Sequence, residues 1–305
     1  MANLVSVQRA VRSALRVSPR LYAALSTAKF RAERTARRVK LWFSPKREAH
    51  SSATPRAVDD KDTLIIEIGY GGLGDSLLHS HLPRIAKETG KYRAVFLSNL
   101  IPFRRAVHRR FVWEMNPYVD GFTDRPGLSF QELLIKKGIS PTRFSIREGM
   151  NILDEIMLAY GLDDGLRCHE PEMYYKPRPL LDYSNKILYD PNWVSPLNDT
   201  VGAARLEEYF RANEIRVDMQ FAPRGNSNPL KSCTRLIHDQ SFEEFCDILH
   251  SCGDIYCFAT GTAALAAALG KRAHVFYHSG IKADFLFSTR HEYISLDARE
   301  DAGAT

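Results

Sequence analysis

The chain has 305 residues, of which 44% are hydrophobic, enough to build one large or two medium globular domains. No apolar run approaches the ~18 residues of a membrane-spanning helix, so we expect no membrane span. The five cysteines are odd in number and include no C-x-x-C pair, which favours reduced thiols in a cytoplasmic compartment over a disulfide framework or a zinc site.

The net charge of +6 is distributed unevenly. Residues 1–49 contain twelve Lys and Arg and two Glu, a charge of +10, so the rest of the chain carries −4. Leucine and valine recur at helical spacing in this segment, which ends on the apolar cluster at residues 41–43. The pattern predicts basic amphipathic helices that bind an anionic membrane surface. A targeting peptide, a nucleic-acid arm and a solvated extension without a role stay open as alternatives.

A flexible linker is predicted over residues 44–61, so that residues 1–61 form an extension ahead of the globular part. The first buried strand follows at residues 63–68 and leads into a turn with four glycines in six residues. Asp75 stands where the next helix is expected to begin, and this helix is predicted to run from about 75 to 89. The turn lacks the Gly-Lys-Ser/Thr ending of a P-loop, so it is not a plain phosphate-binding loop.

Strand and helix patterns alternate over the rest of the first half, which predicts a mostly parallel sheet in a domain at residues 62–180. The elements are a strand at 92–97, a basic helical or irregular segment at 103–115, a turn into a short strand at 116–121, a helix at 148–160 and a short strand at 171–175. A proline-rich stretch at 176–179 is the candidate hinge.

A second α/β pattern predicts another domain at residues 181–298. Its strands are expected at 186–189, 215–221, 254–258, 272–277 and 293–296, and its helices at 201–213, 242–251 and 263–269. Because each half carries a glycine turn that leads into a helix, we expect two Rossmann-like domains that face each other across a cleft.

Two motifs in this pattern resemble those of one enzyme family. The sequence G-L-G-D-S-L-L at residues 72–78, with Pro83 downstream, is similar to the first-strand motif of the ADP-heptose:lipopolysaccharide heptosyltransferases, glycosyltransferase family nine. The sequence T-G-T-A-A-L-A-A-A-L-G-K at residues 260–271 is similar to the late motif of the same family. The resemblance covers about residues 63–280 and implies a GT-B fold.

The resemblance also implies inverting sugar transfer from a nucleotide-sugar, with roles for particular residues. Asp75 matches the family's general base, and a helix N-terminus is expected to keep it ionised at neutral pH. The late turn is expected to hold the donor diphosphate through N–H groups and hydroxyls at Thr260, Gly261, Thr262 and Ala263.

Further candidates flank these two motifs. Gly71, Gly72 and Gly74 leave room for the acceptor, and His79, one turn after Asp75, is either an acceptor-side or a structural residue.

On the donor side, Arg224 and Lys231 belong to a polar loop from which a basic residue can reach the diphosphate. Asn192 and Trp193 follow the first strand of the second domain. Trp193 either stacks on the nucleotide base or packs in the core.

The late motif departs from the family at two positions, where Ala259 replaces an Asp and Ala264 replaces a His. The main prediction is an inverting glycosyltransferase that acts on a membrane-associated glycan or glycolipid. The alternative is a catalytically impaired protein of the same fold that binds a nucleotide-sugar or a glycan. No cofactor is expected, because the nucleotide-sugar is a co-substrate. No metal is expected, because no Asp-x-Asp stands at a convincing strand end. No nucleic-acid partner is expected. We expect a cytoplasmic protein, peripheral at the inner face of the membrane.

Overall fold

The computed structural model describes residues 60–139, 144–193, 203–238, 240–277 and 287–296. The basic segment at residues 1–49 and nearly all of the predicted linker lie outside the described residues. The chain divides into two compact units. Unit one contains the residues up to Tyr70, Ala86–Pro102 and Tyr118–Phe144, and unit two contains Gly71–Ile85, Phe103–Pro117 and the residues from Ser145 onward. The domain boundaries predicted from the sequence stay predictions.

Helices and strands alternate along the described chain. The strands are β1 (Thr63–Ile66), β2 (Ala94–Ser98), β3 (Gly121–Thr123), β4 (Ile187–Asp190), β5 (Met219–Phe221), β6 (Leu236–Ile237), β7 (Asp254–Phe258), β8 (His274–Tyr277) and β9 (Glu292–Ser295). The helices are α1 (Leu73–Leu78), α2 (Leu82–Glu88), α3 (Ala106–His108), which continues as a π-helix (Arg109–Glu114), α4 (Phe130–Lys136), α5 (Ile152–Ala159), α6 (Ala203–Ala212), α7 (Phe242–Ser251) and α8 (Gly261–Ala268). Short 3₁₀ helices lie at Asp60–Asp62 and Leu181–Tyr183.

Unit one is built on a parallel sheet of three strands in the order β1-β2-β3. The Ile-rich strand predicted after residue 62 is β1, and Ile66 at its end is fully buried. The sequence prediction missed helix α4, which is capped by Ser129. The Ser129 hydroxyl accepts the backbone N–H of Glu132, and the Ser129 backbone N–H donates to the Glu132 carboxylate. This reciprocal pairing satisfies two donors at the helix start.

The single helix predicted from about 75 to 89 is two helices, α1 and α2, separated by residues 79–81. In a continuous helix the carbonyl of His79 would accept a hydrogen bond from the backbone N–H of residue 83. Residue 83 is a proline, which has no backbone N–H. Instead the N–H of Leu82 donates to the His79 carbonyl at 3.1 Å, and Pro83 takes the second position of α2, where a missing N–H costs little.

Unit two is built on a parallel sheet of six strands in the order β6-β5-β4-β7-β8-β9. The parallel α/β architecture predicted from the sequence is therefore confirmed. The chain order reverses beside β4, which pairs with β5 on one side and with β7 on the other. In open α/β sheets a ligand crevice forms at such a reversal, outside the carboxyl ends of the strands.

An aromatic core fills one side of this sheet. The ring of Phe210 on α6 packs edge-on against Tyr189 at 5.7 Å and Phe276 at 5.7 Å between centroids, and Trp193 belongs to the same cluster. Burial of each such ring contributes about 1.5–3 kcal/mol, so this cluster fixes α6 against the strands that carry the crevice. Within the described ranges, no helix is both long and apolar enough to span a bilayer.

A buried ion pair joins the start of α5 to the segment that follows it. His169 Nδ1 lies 2.5 Å from Asp154 Oδ1, and His169 Nε2 lies 3.0 Å from Asp164 Oδ2. Asp154, which is fully buried, also accepts the backbone N–H groups of Asn151 and Cys168. Burial alone would raise the pKa of Asp154, but the hydrogen bonds from His169 and these N–H groups lower it to about 2. Burial likewise opposes the charged form of His169, but its two carboxylate partners raise its pKa above the usual value.

Candidate functional site

The two glycine turns singled out in the sequence meet in unit two. Helix α1 begins after Gly72 and helix α8 begins after Thr260, and their first residues are in contact. A Cβ placed on Gly74 would lie 3.4 Å from the Cα of Gly261, and one placed on Gly261 would lie 3.1 Å from the nitrogen of Gly74. The contact at Gly261 is tighter than a Cβ normally makes, so glycine at this position allows the approach without a shift, whereas the distance at Gly74 is an ordinary van der Waals contact. The predicted acceptor turn and the predicted diphosphate turn therefore adjoin.

Asp75 lies at the third position of α1, so the helix begins two residues earlier than the sequence predicted. The N-cap is Gly72, whose backbone N–H donates to Asp75 Oδ2 at 3.0 Å. Burial raises the pKa of Asp75 above its usual value, while the Gly72 N–H and the Arg104 guanidinium oppose this shift. Desolvation therefore outweighs the favourable contacts at the helix start. The expectation that Asp75 is ionised at neutral pH stays a prediction. A raised pKa makes the ionised carboxylate a stronger base.

His79 lies at the end of α1 and is only 6% exposed. Its Nδ1 lies 2.8 Å from the carbonyl of Asp75, to which it donates, and its ring packs edge-on against Tyr160. Burial lowers the pKa of His79 to about 4, so the imidazole is neutral at physiological pH. This position favours the structural alternative for His79.

A cavity of about 160 Å³ lies where β4 and β5 end and α7 begins. Its polar lining consists of Arg105, His108, Asp190, Asn192, Arg224, Gln240 and Ser241. The phenyl rings of Phe221, Phe242 and Phe245 form apolar walls, and Leu73, two residues before Asp75, brings the start of α1 to its edge. With two arginines, one carboxylate and a histidine whose pKa burial lowers, the lining carries a net positive charge that suits an anionic ligand.

Two of the predicted donor residues line this cavity. Arg224 lines it while its guanidinium donates to Gln240 Oε1 at 2.7 Å. Asn192 lines it as well, with its Oδ1 accepting the backbone N–H of Arg224. Asn192 follows the carboxyl end of β4 and Arg224 follows that of β5, as the parallel-sheet pattern predicted.

The structure places the other two loop candidates elsewhere. Lys231 is exposed, and its backbone N–H bonds Glu207 on α6, so it does not line the cavity. Trp193 is 6% exposed within the aromatic core, which favours the packing role over base stacking. A loop residue's side-chain direction is decided by tertiary contacts that spacing alone does not reveal.

The four residues of the late turn form the start of α8. The Thr260 hydroxyl accepts the N–H of Thr262 as the helix cap, and Gly261 makes the close contact with α1. Thr262 donates its own hydroxyl to Asp190 Oδ2 at 2.6 Å, so that proton is not directed at a ligand. Ala263 is fully buried, and its carbonyl accepts from His291 Nε2 at 2.9 Å.

Five polar residues that line the cavity were not among the predicted site residues: Arg105, His108, Asp190, Gln240 and Ser241. Asp190 closes β4 two residues before Asn192, so its strand-end position was a signal for it. Arg105 belongs to the basic segment at 103–115, which was noted for charge alone.

Ala264, one of the two positions where the late motif departs from the family, is fully buried, so a larger side chain there would displace its neighbours. Among the residues that the structure describes, no group of three or more His, Cys, Asp or Glu side chains is arranged to hold a metal ion.

Comparison with known proteins finds relatives by structure only. No protein-family model matches the chain, and no curated protein sequence does. TibC, an iron-containing dodecameric glycosyltransferase from enterotoxigenic E. coli H10407, superposes with a TM-score of 0.53 at 13% identity, over 76% of this chain and 62% of TibC.

TibC in complex with ADP-D-β-D-heptose gives a TM-score of 0.51 at 12% identity, over 80% and 66% of the two chains. The chain thus spans less than two thirds of TibC. A family 9 glycosyl transferase from Veillonella parvula DSM 2008 matches with a TM-score of 0.49 at 10% identity, over 77% and 86%. The resemblance seen in the sequence is confirmed at the level of the fold: the chain has the parallel-sheet α/β fold of the TibC glycosyltransferase.

Proposed function

We propose that the protein is an inverting glycosyltransferase that moves a sugar from a nucleotide-sugar to a membrane-associated glycan or glycolipid. The observation that carries this proposal is the contact between the starts of α1 and α8. It sets Gly74, the residue before the half-buried Asp75, against the turn that the resemblance assigns to the donor diphosphate. The fold shared with TibC, a glycosyltransferase, supports the same reading.

In the proposed reaction, the acceptor hydroxyl attacks the anomeric carbon of the donor sugar as its bond to the phosphate oxygen breaks. Asp75 removes the hydroxyl proton, and the nucleoside diphosphate leaves with the bonding electron pair. Arg105 and Arg224 stabilise the negative charge that grows on the leaving phosphate. Attack from the face opposite to the leaving group inverts the anomeric configuration.

The donor diphosphate is assigned to the backbone N–H groups at the start of α8 and to the Thr260 hydroxyl. The first turn of a helix carries N–H groups that the helix itself does not use. TibC has been captured with ADP-D-β-D-heptose, which supports a nucleoside diphosphate sugar as the donor class. Because Ala259 and Ala264 replace the Asp and His of the family motif, we do not assign heptose as the sugar.

A second candidate is a binding protein of the same fold that has lost transfer activity. The full burial of Ala264 favours it, since the site offers no space for the histidine of the family motif. The second candidate binds a nucleotide-sugar or a glycan, and only the first candidate releases a nucleoside diphosphate when an acceptor is present.

The test is to incubate the full-length protein with a panel of nucleotide-sugars and membrane glycolipids and to measure nucleoside diphosphate release. We expect release with one donor, and we expect Arg105→Ala and Arg224→Ala each to lower donor affinity by roughly 10- to 100-fold, as for a lost hydrogen bond to a charged group. Lys231→Ala, outside the cavity, is the matched control and should leave donor affinity unchanged. Binding without release by the wild type would select the second candidate, and no binding of any donor or glycolipid would overturn both.

We further propose that residues 1–49 attach the protein to the anionic surface of the membrane where the acceptor lies. The +10 charge of this segment supports this, because each basic residue near an anionic surface contributes about 1 kcal/mol. Flotation with vesicles containing phosphatidylserine should recover the full chain but not a variant lacking residues 1–49. Equal flotation of both proteins would contradict this attachment.

A further inference from the structure

A buried carboxylate outside the proposed chemistry organises the donor side of the cavity. Asp190, the last residue of β4, is 4% exposed. Its Oδ2 accepts the hydroxyl of Thr262 at 2.6 Å, and its Oδ1 accepts the backbone N–H and the side-chain amide of Asn192 at 3.0 and 2.9 Å. A buried carboxylate with this many donors is fully engaged, so Asp190 is held in one orientation.

The partners of Asp190 lead to the two structures that the proposed reaction uses. Thr262 lies in the first turn of α8, the proposed diphosphate turn. Asn192 connects Asp190 to the loop after β5. Its Oδ1 accepts the backbone N–H of Arg224, and its amide also donates to the carbonyl of Ala222 at 3.2 Å. One carboxylate therefore connects the diphosphate turn with the backbone that carries the cationic Arg224.

The network also fixes which way the Thr262 hydroxyl points. Since its hydrogen is directed at Asp190, the hydroxyl offers only lone pairs in other directions, and these repel phosphate oxygens. An asparagine at position 190 would present either an oxygen or an NH₂ group to this hydroxyl, but it cannot accept from Thr262 and from both Asn192 donors as two carboxylate oxygens do. The carboxylate, more than the shape of the side chain, determines the arrangement.

We propose that Asp190 is a positioning residue for the donor, which sets the start of α8 and the Arg224 backbone at the spacing that binds the diphosphate of a nucleotide-sugar. This inference rests on the proposed function. Asp190 touches neither the transferred proton nor the broken bond in the proposed reaction, so its effect reaches the donor through Thr262 and Asn192.

The test compares Asp190→Asn and Thr262→Val with the wild type for nucleoside diphosphate binding by calorimetry and for the KM and kcat of transfer. Asp190→Asn should raise the Kd of the nucleoside diphosphate and the KM of the donor at least 10-fold and leave the KM of the acceptor unchanged. Thr262→Val removes one hydroxyl at constant shape and should move the donor KM in the same direction. The double variant should show less than the sum of the two effects in free energy, because both changes break the same contact.

Asp218→Asn is the matched control. Asp218 holds the opposite end of β4, where its carboxylate accepts the N–H of Ile187 at 2.8 Å, and it does not line the cavity. A merely structural role for Asp190 would lower the melting temperature and kcat in both variants without a selective change in the donor KM, and this would overturn the inference. Unchanged donor affinity in Asp190→Asn would overturn it while the proposed function stands. Absence of nucleoside diphosphate binding by the wild type would overturn the proposed function and, with it, the positioning role.

Discussion

Replacing Asp75 by Asn should lower the rate of nucleoside diphosphate release by at least about 100-fold, as expected when a general base is lost. The asparagine oxygen can still accept the N–H of Gly72, so the start of α1 should keep its structure. What the amide cannot do is take the proton of the acceptor hydroxyl. Initial rates with saturating donor and acceptor, together with thermal melting, measure both properties.

The control is Glu132→Gln at the start of α4, which changes a carboxylate to an amide in the same capping position of another helix. We expect no change in rate. The wild-type rate should also fall as the pH is lowered through the pKa of Asp75, which burial places above the usual value of 3.8, since only the ionised form is a base. Equal rates for Asp75→Asn and the wild type would remove Asp75 from the mechanism.

The second large effect concerns stability. Asp154→Ala should reduce the free energy of unfolding by about 3–5 kcal/mol, the typical cost of removing one partner from a buried ion pair. The substitution removes the carboxylate that bonds His169 Nδ1 and that accepts the backbone N–H groups of Asn151 and Cys168. Urea unfolding monitored by circular dichroism measures this change in the free energy of unfolding. Asp163→Ala, which breaks a neighbouring exposed pair with Arg167, is the control and should change stability little.

The same network predicts how stability depends on pH. The pKa of His169 is raised in the folded state, so its contribution is complete below the unfolded value of 6.5 and is lost as the pH rises through the folded pKa. The pKa of Asp154 is lowered to about 2, so its contribution is present above 3.8 and is lost as the pH falls towards 2. The stability difference between the wild type and His169→Gln should therefore be largest between about pH 4 and 6.5. A difference that stays constant from pH 4 to 9 would contradict this account.

Sequence patterns located the long elements of unit two well. Helix α7 was predicted at 242–251 and β7 at 254–258, and both are found at these residues. In each case a local signal was sufficient: Ser241 caps the N–H of Glu244, and a buried apolar run follows. Short elements lacked such signals. Strand β6 has two residues, too few for any periodicity, and it forms because β5 offers an edge to pair with.

The site was predictable to the extent that it depends on strand ends. Arg224 and Asn192 were found because the loops after parallel strands converge on one edge of the sheet. The role of Arg105 was not predictable, because it depends on contact between segments far apart in the chain, whereas Asp190 ends β4 and its strand-end position was a signal for it. The close contact between Gly74 and Gly261 was also not predictable, because the two glycines belong to different motifs and residue spacing within one motif does not reveal it.

The contact between these two glycines limits how this protein can be diversified. At these two positions backbone lies against backbone, so neither glycine has a side chain that could be trimmed to change the distance between the turns. Among the apolar walls of the cavity, Phe245 is half-buried, whereas Phe221 and Phe242 are buried, so Phe245 is the wall position that substitution can change at least cost. A library that varies the half-buried Phe245 should yield more folded proteins than one that varies Gly261, where an added Cβ would lie 3.1 Å from the nitrogen of Gly74.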